Sequence, residues 1–374
     1  MRIGIDATPL PLEPVGAGTY IIQLIRALAE LNSEPDLFVF VHQNRLELFE
    51  GLPAGRIKFI PVSDKTPALR LIWEQVELPR LARQFELNLL HSLHYTSPYK
   101  LPCLSVVTFH DMTFFMYPDL HTVSKRLLFP FLIRSSARRA NALIAVSETT
   151  RRDAIQILDI PEQKIVTISN GVSSDFRPIT NQGVLEECRR KYQLPENFIL
   201  FVGTIEPRKN LPFLLRAYHR LVQEDSMYHL VLAGNKGWMD GEVWKTLKDL
   251  QLEEFVHITG YIPLSELPTI YNLARLFIYP SLYEGFGLPP VEAMACGTPV
   301  IASAIPVNQD HIGDAGLLFP PGDELSLFQN LSRLLNDRKM QADLSAKGLE
   351  RSKAFSWRSC AQATLDVYQH LATS

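Results

Sequence analysis

Short apolar runs rich in β-branched residues alternate with helical patterns along most of the chain, and no other feature constrains the fold as tightly. In the first half the runs fall at residues 2–5, 38–41, 57–60, 104–109, 142–146 and 165–168. In the second half they fall at 198–202, 230–233, 256–259, 276–279, 300–302 and 317–319. Strands separated by helices must return in the same direction, so the pattern predicts parallel sheets with helices on their faces. Between the first two runs, Ile21, Leu24, Ile25 and Leu28 stand at helical spacing, with Thr19 as a start signal. A chain of 374 residues exceeds what one core organises, which implies two domains. The break lies between residues 171 and 195, where most of NGVSSDFRPITNQG reads as a linker. The expectation is an α/β protein of two doubly wound, Rossmann-like domains, 1–178 and 179–374. They would face each other across a central cleft, because open parallel sheets bind ligands beyond the carboxyl ends of their strands.

Composition narrows the partners. A net charge of −3 gives no global attraction to nucleic acid, so any polyanion must be met by a local patch. Cys103, Cys188, Cys296 and Cys360 are scattered without metal-ligand spacing, which disfavours a zinc site or a disulfide framework and fits a reducing cytoplasm. The opening MRIGIDATPL has no signal-peptide core, and no apolar run is long enough to span a bilayer.

The densest chemistry lies at residues 279–303, YPSLYEGFGLPPVEAMACGTPVIAS. Gly285 and Gly287 let the backbone approach a ligand closely, and Pro289 and Pro290 suit the first turn of a helix. A helix N-terminus offers unpaired N–H groups to a diphosphate, and a carboxylate can accept two hydroxyl hydrogen bonds from a sugar or ribose. Glu284 in the turn and Glu292 in the helix would therefore address different parts of one extended ligand. Either alone is equally a complement to the helix dipole. Together, with Gly285, Phe286, Gly287 and Leu288 following the first of them, they resemble the signature of retaining glycosyltransferase family 4.

Further segments carry the resemblance. The strand at 198–202 runs into Gly203, Thr204 and then EPRKNL, which sets Arg208 and Lys209 at a strand-to-helix turn. Fixed cations there would stabilise the charge that develops on a leaving diphosphate. The family places a lysine several residues after the glycine, which carries over to Lys209. Its arginine immediately after the glycine is Thr204 here, so Arg208 enters by inference. Gly16-Ala17-Gly18 is by itself a weak signal, since the third glycine of a dinucleotide fingerprint is missing and no ribose-binding acid follows the second strand. NAD binding is disfavoured, and the resemblance makes Gly16 and Gly18 part of a loop over the donor phosphates. In VVTFHD, His110 matches a family histidine that hydrogen-bonds the transferred sugar; Asp111 would fix its tautomer, bind acceptor or serve structure alone. The strand ends at Gly234 and at Gly260-Tyr261-Ile262 would meet the nucleotide base, and Lys236 would reach phosphate or solvent.

The resemblance implies a GT-B fold, with a final helix near 357–371 crossing back to the first domain. It implies a hexosyltransferase moving a hexose from a nucleotide-diphosphate sugar, GDP-mannose or UDP-hexose, to a glycan or lipid-linked oligosaccharide in cell-surface polysaccharide synthesis, with retention. EPRKNL, AGNKGW and VVTFHDMTFFMYP look like the branch of bacterial O-antigen and exopolysaccharide mannosyltransferases. The chain holds no Asp-x-Asp pair, so no metal and no cofactor is expected; the nucleotide sugar is a co-substrate. Two rival readings are a nucleotide-sugar epimerase of the same fold and a non-catalytic nucleotide-sugar sensor. Finally, SKRLLFPFLIRSSARRA at 124–140 interleaves five cations with apolar residues. It reads either as a helix of the first domain or as a weak peripheral contact with the inner face of the membrane.

Overall fold

The computed structural model describes residues 1–31, 35–53 and 55–373. The chain divides into two compact units, Met1–Gly171 with Ser356–Ser374, and Val172–Phe355. Residues 172–178 thus pack with the second unit, and the final helix, Trp357–Thr373, with the first.

The first unit carries a seven-stranded sheet: β1 (Arg2–Asp6), β2 (Asp36–His42), β3 (Ile57–Val62), β4 (Leu89–Ser92), β5 (Leu104–Phe109), β6 (Ala142–Ala145) and β7 (Ile165–Thr167). Their order is β3-β2-β1-β4-β5-β6-β7, every neighbouring pair parallel. The strand that alternation missed is β4. It is buried along its length beside β1 and β5, as a central strand must be, yet two of its four residues are polar. His91 is satisfied inside the core: its Nε2 lies 2.8 Å from Thr108 Oγ1 and its Nδ1 2.5 Å from the Tyr368 hydroxyl of the final helix. Burial, and then the nearby His110, push its pKa down to about 3, so the ring stays neutral. Against the same sheet lies the helix Ala17–Glu30, on which the final helix packs. That helix begins two residues before the expected Thr19, which is buried within it.

The second unit holds β8 (Phe198–Val202), β9 (His229–Ala233), β10 (Val256–Gly260), β11 (Leu276–Tyr279), β12 (Val300–Ser303) and β13 (Leu317–Phe319), in the order β10-β9-β8-β11-β12-β13 and all parallel. The helix Leu211–Glu224 shows why such elements dock: Leu211, Leu214, Leu215, Tyr218 and Leu221 repeat at three- and four-residue steps and are all buried. Strand order reverses between β1 and β4 in the first unit and between β8 and β11 in the second. Those switch points open crevices at the carboxyl ends of the strands, where open parallel sheets take ligands.

Candidate active site

At the second unit's switch point, β8 delivers Arg208 and Lys209, and β11 delivers Glu284. Lys209 is only 6 % exposed, so the expected cationic turn is a buried one. Its Nζ donates to Glu284 Oε1 at 2.7 Å and to the Tyr279 hydroxyl at 2.7 Å, and stands 4.7 Å from the Tyr279 ring centre. Arg208 Nη1 pairs with Glu284 Oε2 and donates to the Tyr283 carbonyl at 3.0 Å, while Nη2 meets Glu206 Oε1 at 2.6 Å. The two loops are stitched by Leu282 N–H to the Arg208 carbonyl at 2.9 Å. Burial alone would raise the Glu284 pKa, but Arg208 and Lys209 outweigh it and hold the carboxyl at about 2. Burial and Arg208 push Lys209 downward, and Glu284 opposes them.

Backbone geometry explains the glycines that matter most. A Cβ on Gly234 would sit 2.0 Å from the Gly203 carbonyl oxygen, so the β8 and β9 ends can meet only if this residue has no side chain. Gly287 has φ +76° at the start of the helix Leu288–Ala295, a conformation that side chains resist, and Pro289 and Pro290 follow in its first turn. The turn is backed by His311, whose Nδ1 donates to the Phe286 carbonyl at 2.9 Å and whose ring packs on the buried Phe286. Inside that helix Glu292 is buried and has a different partner, the Tyr271 hydroxyl, which donates to Oε2 at 3.0 Å. Without a cation, burial carries its pKa up to about 7. The structure thus brings Arg208, Lys209 and Glu284 together and gives Glu292 its own environment. Beside them, Gly234 bridges to Gly260, Tyr261 is half-buried and Ile262 buried. Lys236 lies over the Trp244 ring at 4.6 Å, a partner the sequence did not suggest.

In the first unit, His110 follows β5 and is 9 % exposed. Its Nε2 donates to the Leu93 carbonyl at 2.8 Å, which fixes the tautomer. Asp111 was expected as one candidate for that task. Instead its Oδ1 accepts from the Thr113 backbone N–H at 3.0 Å and hydroxyl at 2.6 Å, ordering the turn that follows. Burial lowers the His110 pKa despite Leu93 and Asp111. Tyr20 meets the ring edge-on at 4.9 Å, and His94 and Tyr95 lie at 5.6 and 5.7 Å. Gly16 caps the helix Ala17–Glu30, but Gly18 is inside its first turn, packed on Pro11 and Pro14, and so is no loop residue.

Sequence reasoning missed Glu206, Tyr279, Tyr271, Leu93 and His311, all of which hold a predicted residue or turn. Tyr279 lay inside the quoted segment. Tyr271 stands 21 residues before Glu292, with nothing local to mark it. Among the described residues no group of His, Cys, Asp or Glu could hold a metal ion, and no helix is long and apolar enough to cross a membrane. The cysteines are free.

Comparison with known proteins gives a consistent result. Residues 14–176 match the family model Glycosyltransferase Family 4, and residues 186–351 match Glycosyl transferases group 1. The chain is 30% identical to O-antigen chain mannosyltransferase B of Escherichia coli, over 99% of this chain and 100% of the relative. It is 30% identical to O-antigen chain mannosyltransferase RfbU of Salmonella typhimurium, over 83% of this chain and 84% of that one. Among solved structures, sucrose-phosphate synthase from Thermosynechococcus elongatus superposes with a TM-score of 0.80 at 22% identity, covering 100% of both chains. WaaG, a glycosyltransferase of lipopolysaccharide biosynthesis, does so with a TM-score of 0.74 at 15% identity, covering 98% of this chain and 99% of that one. The structural likeness shows the fold, GT-B.

Proposed function

From the premise that the chain belongs to glycosyltransferase family 4, in the branch of the O-antigen mannosyltransferases, we propose that it moves a hexose, with retention and without a metal, from GDP-mannose or a UDP-hexose to a glycan or lipid-linked oligosaccharide acceptor. Anabaena HepE, a fold relative at 18% identity, has been captured with UDP and glucose, which keeps the UDP alternative open. The observation that carries the reading is the Arg208–Glu284–Lys209 cluster at the β8/β11 switch point, with Lys209 and Glu284 buried and Arg208 half-buried, beside a helix N-terminus.

Arg208 and Lys209 meet the donor's diphosphate, Glu284 orients sugar hydroxyls and Glu292 the ribose. As the bond from the anomeric carbon to the phosphate oxygen breaks, the acceptor oxygen bonds to that carbon on the same face. Its proton passes to the departing phosphate oxygen. No carboxylate nucleophile is needed on the opposite face, in contrast to retaining hydrolases. The two cations, fixed before the reaction, stabilise the charge on the leaving group. His110, turned by Leu93, is the first unit's candidate contact with the transferred sugar, and Gly16 belongs to the loop over the donor phosphates.

The test is an assay with GDP-mannose, UDP-glucose and glycan acceptors, in chelator, with the product read by NMR. A retained configuration is expected. An inverted product, activity restored only by manganese, or release of free nucleotide without a new glycoside would each overturn part of the reading.

The proposed peripheral membrane contact is carried by the helix Val123–Arg139, which continues through Pro130. It docks through Ile133, Ser136 and Ala137 and leaves Val123, Leu127, Leu128 and Phe131 exposed. Beside Leu128 and Leu132 a groove of about 400 Å³ is lined by Leu71, Ile72 and Val76 of the helix Pro67–Gln84.

A further inference from the structure

The two cations of the second unit already hold an anion. One carboxylate, Glu284, spans both, with Oε1 on Lys209 and Oε2 on Arg208. Each cation also has an anchor of its own. Lys209 keeps the Tyr279 hydroxyl, and Arg208 keeps Glu206 and the Tyr283 carbonyl. The ammonium and guanidinium would therefore stay in place if Glu284 turned away, but one positive charge would be left over beside a buried ammonium and a half-buried guanidinium. A buried, uncompensated charge is costly, so their position calls for an anion.

Resting on the reading that these cations meet the diphosphate and Glu284 the sugar, we propose that Glu284 is an internal stand-in for the diphosphate, displaced when donor binds and returned when the sugar has left. A nucleotide sugar satisfies both sides of the exchange: its phosphates take over the cations while its hydroxyls supply donors to the released carboxylate. A nucleoside diphosphate satisfies only one. It must take both cations from Glu284 and supplies no sugar hydroxyl in return, so part of its binding energy is spent on that displacement. After transfer the carboxylate reclaims Arg208 and Lys209 and helps to expel the product, a step that limits turnover in many transferring enzymes.

The test is calorimetric titration of UDP, GDP and inorganic pyrophosphate into the wild-type chain, Glu284→Gln, Glu284→Asp and Lys209→Ala. Glu284→Gln keeps the shape and removes the competing charge; it should tighten the nucleoside diphosphate that the wild type binds by at least about tenfold, or 1.4 kcal/mol. Glu284→Asp keeps the charge on an arm too short to span both cations and should tighten it by less, which covers the case in which Glu284→Gln does not fold. Lys209→Ala should weaken all three probes. Unchanged or weaker diphosphate binding in the folded Glu284 variants, with wild-type binding intact, overturns the stand-in role alone. No binding of any probe by any of the four proteins overturns the diphosphate reading with it.

Discussion

The two switch-point crevices are built from opposite materials. In the second unit three charged side chains from two strand ends close on one another, and the carboxylate is held ionised by its neighbours. In the first, an imidazole kept neutral by burial sits among Tyr20, His94 and Tyr95, with a backbone carbonyl as its anchor. Charge pairs stabilise developing charge, whereas rings and neutral donors shape a site and orient hydroxyls. The contrast fits the proposed leaving-group role of Arg208 and Lys209 and leaves His110 a neutral, oriented hydrogen-bonding group.

The largest expected effect breaks the charged side. Lys209→Ala removes one fixed cation and should cost on the order of 3 kcal/mol in the barrier, a loss of roughly a hundredfold in kcat. A loss below about tenfold would remove Lys209 from the leaving-group role.

Next come the two glutamates, which burial pushes the same way and which only the cations beside Glu284 send apart. Glu284→Ala should mainly lower kcat, and Glu292→Ala mainly raise the donor KM, because in the proposed roles one orients the reacting sugar and the other the ribose. Their titrations separate them further. The Glu292 pKa rises from 4.5 unfolded to about 7 folded, so the folded state holds its proton longer; stability is full below pH 4.5 and falls as pH climbs through 7. The shift corresponds to roughly 3 kcal/mol. The Glu284 pKa falls from 4.5 to about 2, so its contribution is present above pH 4.5 and lost as pH drops toward 2. Urea melts across this range should show Glu292→Gln flattening the decline above pH 4.5 and Glu284→Gln flattening the one below it. If both variants flatten the same limb, the two environments are not distinct. Donor affinity should also improve as pH rises through about 7, an inflection that Glu292→Gln abolishes.

What the sequence made legible follows the same division. The EGFG turn and the two glutamates form one stretch of sequence and the cation pair another, each legible because a strand end and the helix after it form one local unit; that the two stretches, 75 residues apart, meet was not legible. Five of the seven strands around His110 were visible as apolar runs before it or after it, together with its own β5. The central β4 was not, because His91 and Ser92 break an apolar run, and the partners that satisfy His91, Thr108 and Tyr368, lie far along the chain. Asp111 was read beside His110 because the two are neighbours in sequence, but the imidazole takes the Leu93 carbonyl and Asp111 serves the next turn. His110→Ala should cost about tenfold in turnover, the scale of one lost hydrogen bond to substrate, and Asp111→Asn less. Equal losses would return Asp111 to the site.

The smallest effect concerns the helix Val123–Arg139, whose chemistry lies on its outside. Arg126 pairs with Asp119, Arg134 lies over Phe115 at 4.7 Å and Arg139 over Tyr99 at 4.1 Å, so several of its cations have protein partners; Arg138 is exposed. The remaining charge suits weak attraction to anionic lipid, about 1 kcal/mol for each basic group near the surface. The exposed Leu127 and Phe131 add apolar area that a purely electrostatic contact would lack. Vesicle sedimentation should therefore recover the chain with anionic but not neutral liposomes, less so at high salt. Phe131→Ser should weaken recovery at every salt concentration, and Arg138→Glu chiefly at low salt. Equal recovery in the supernatant with both lipids would leave the helix as a surface element of the first unit and point to an acceptor reached from solution.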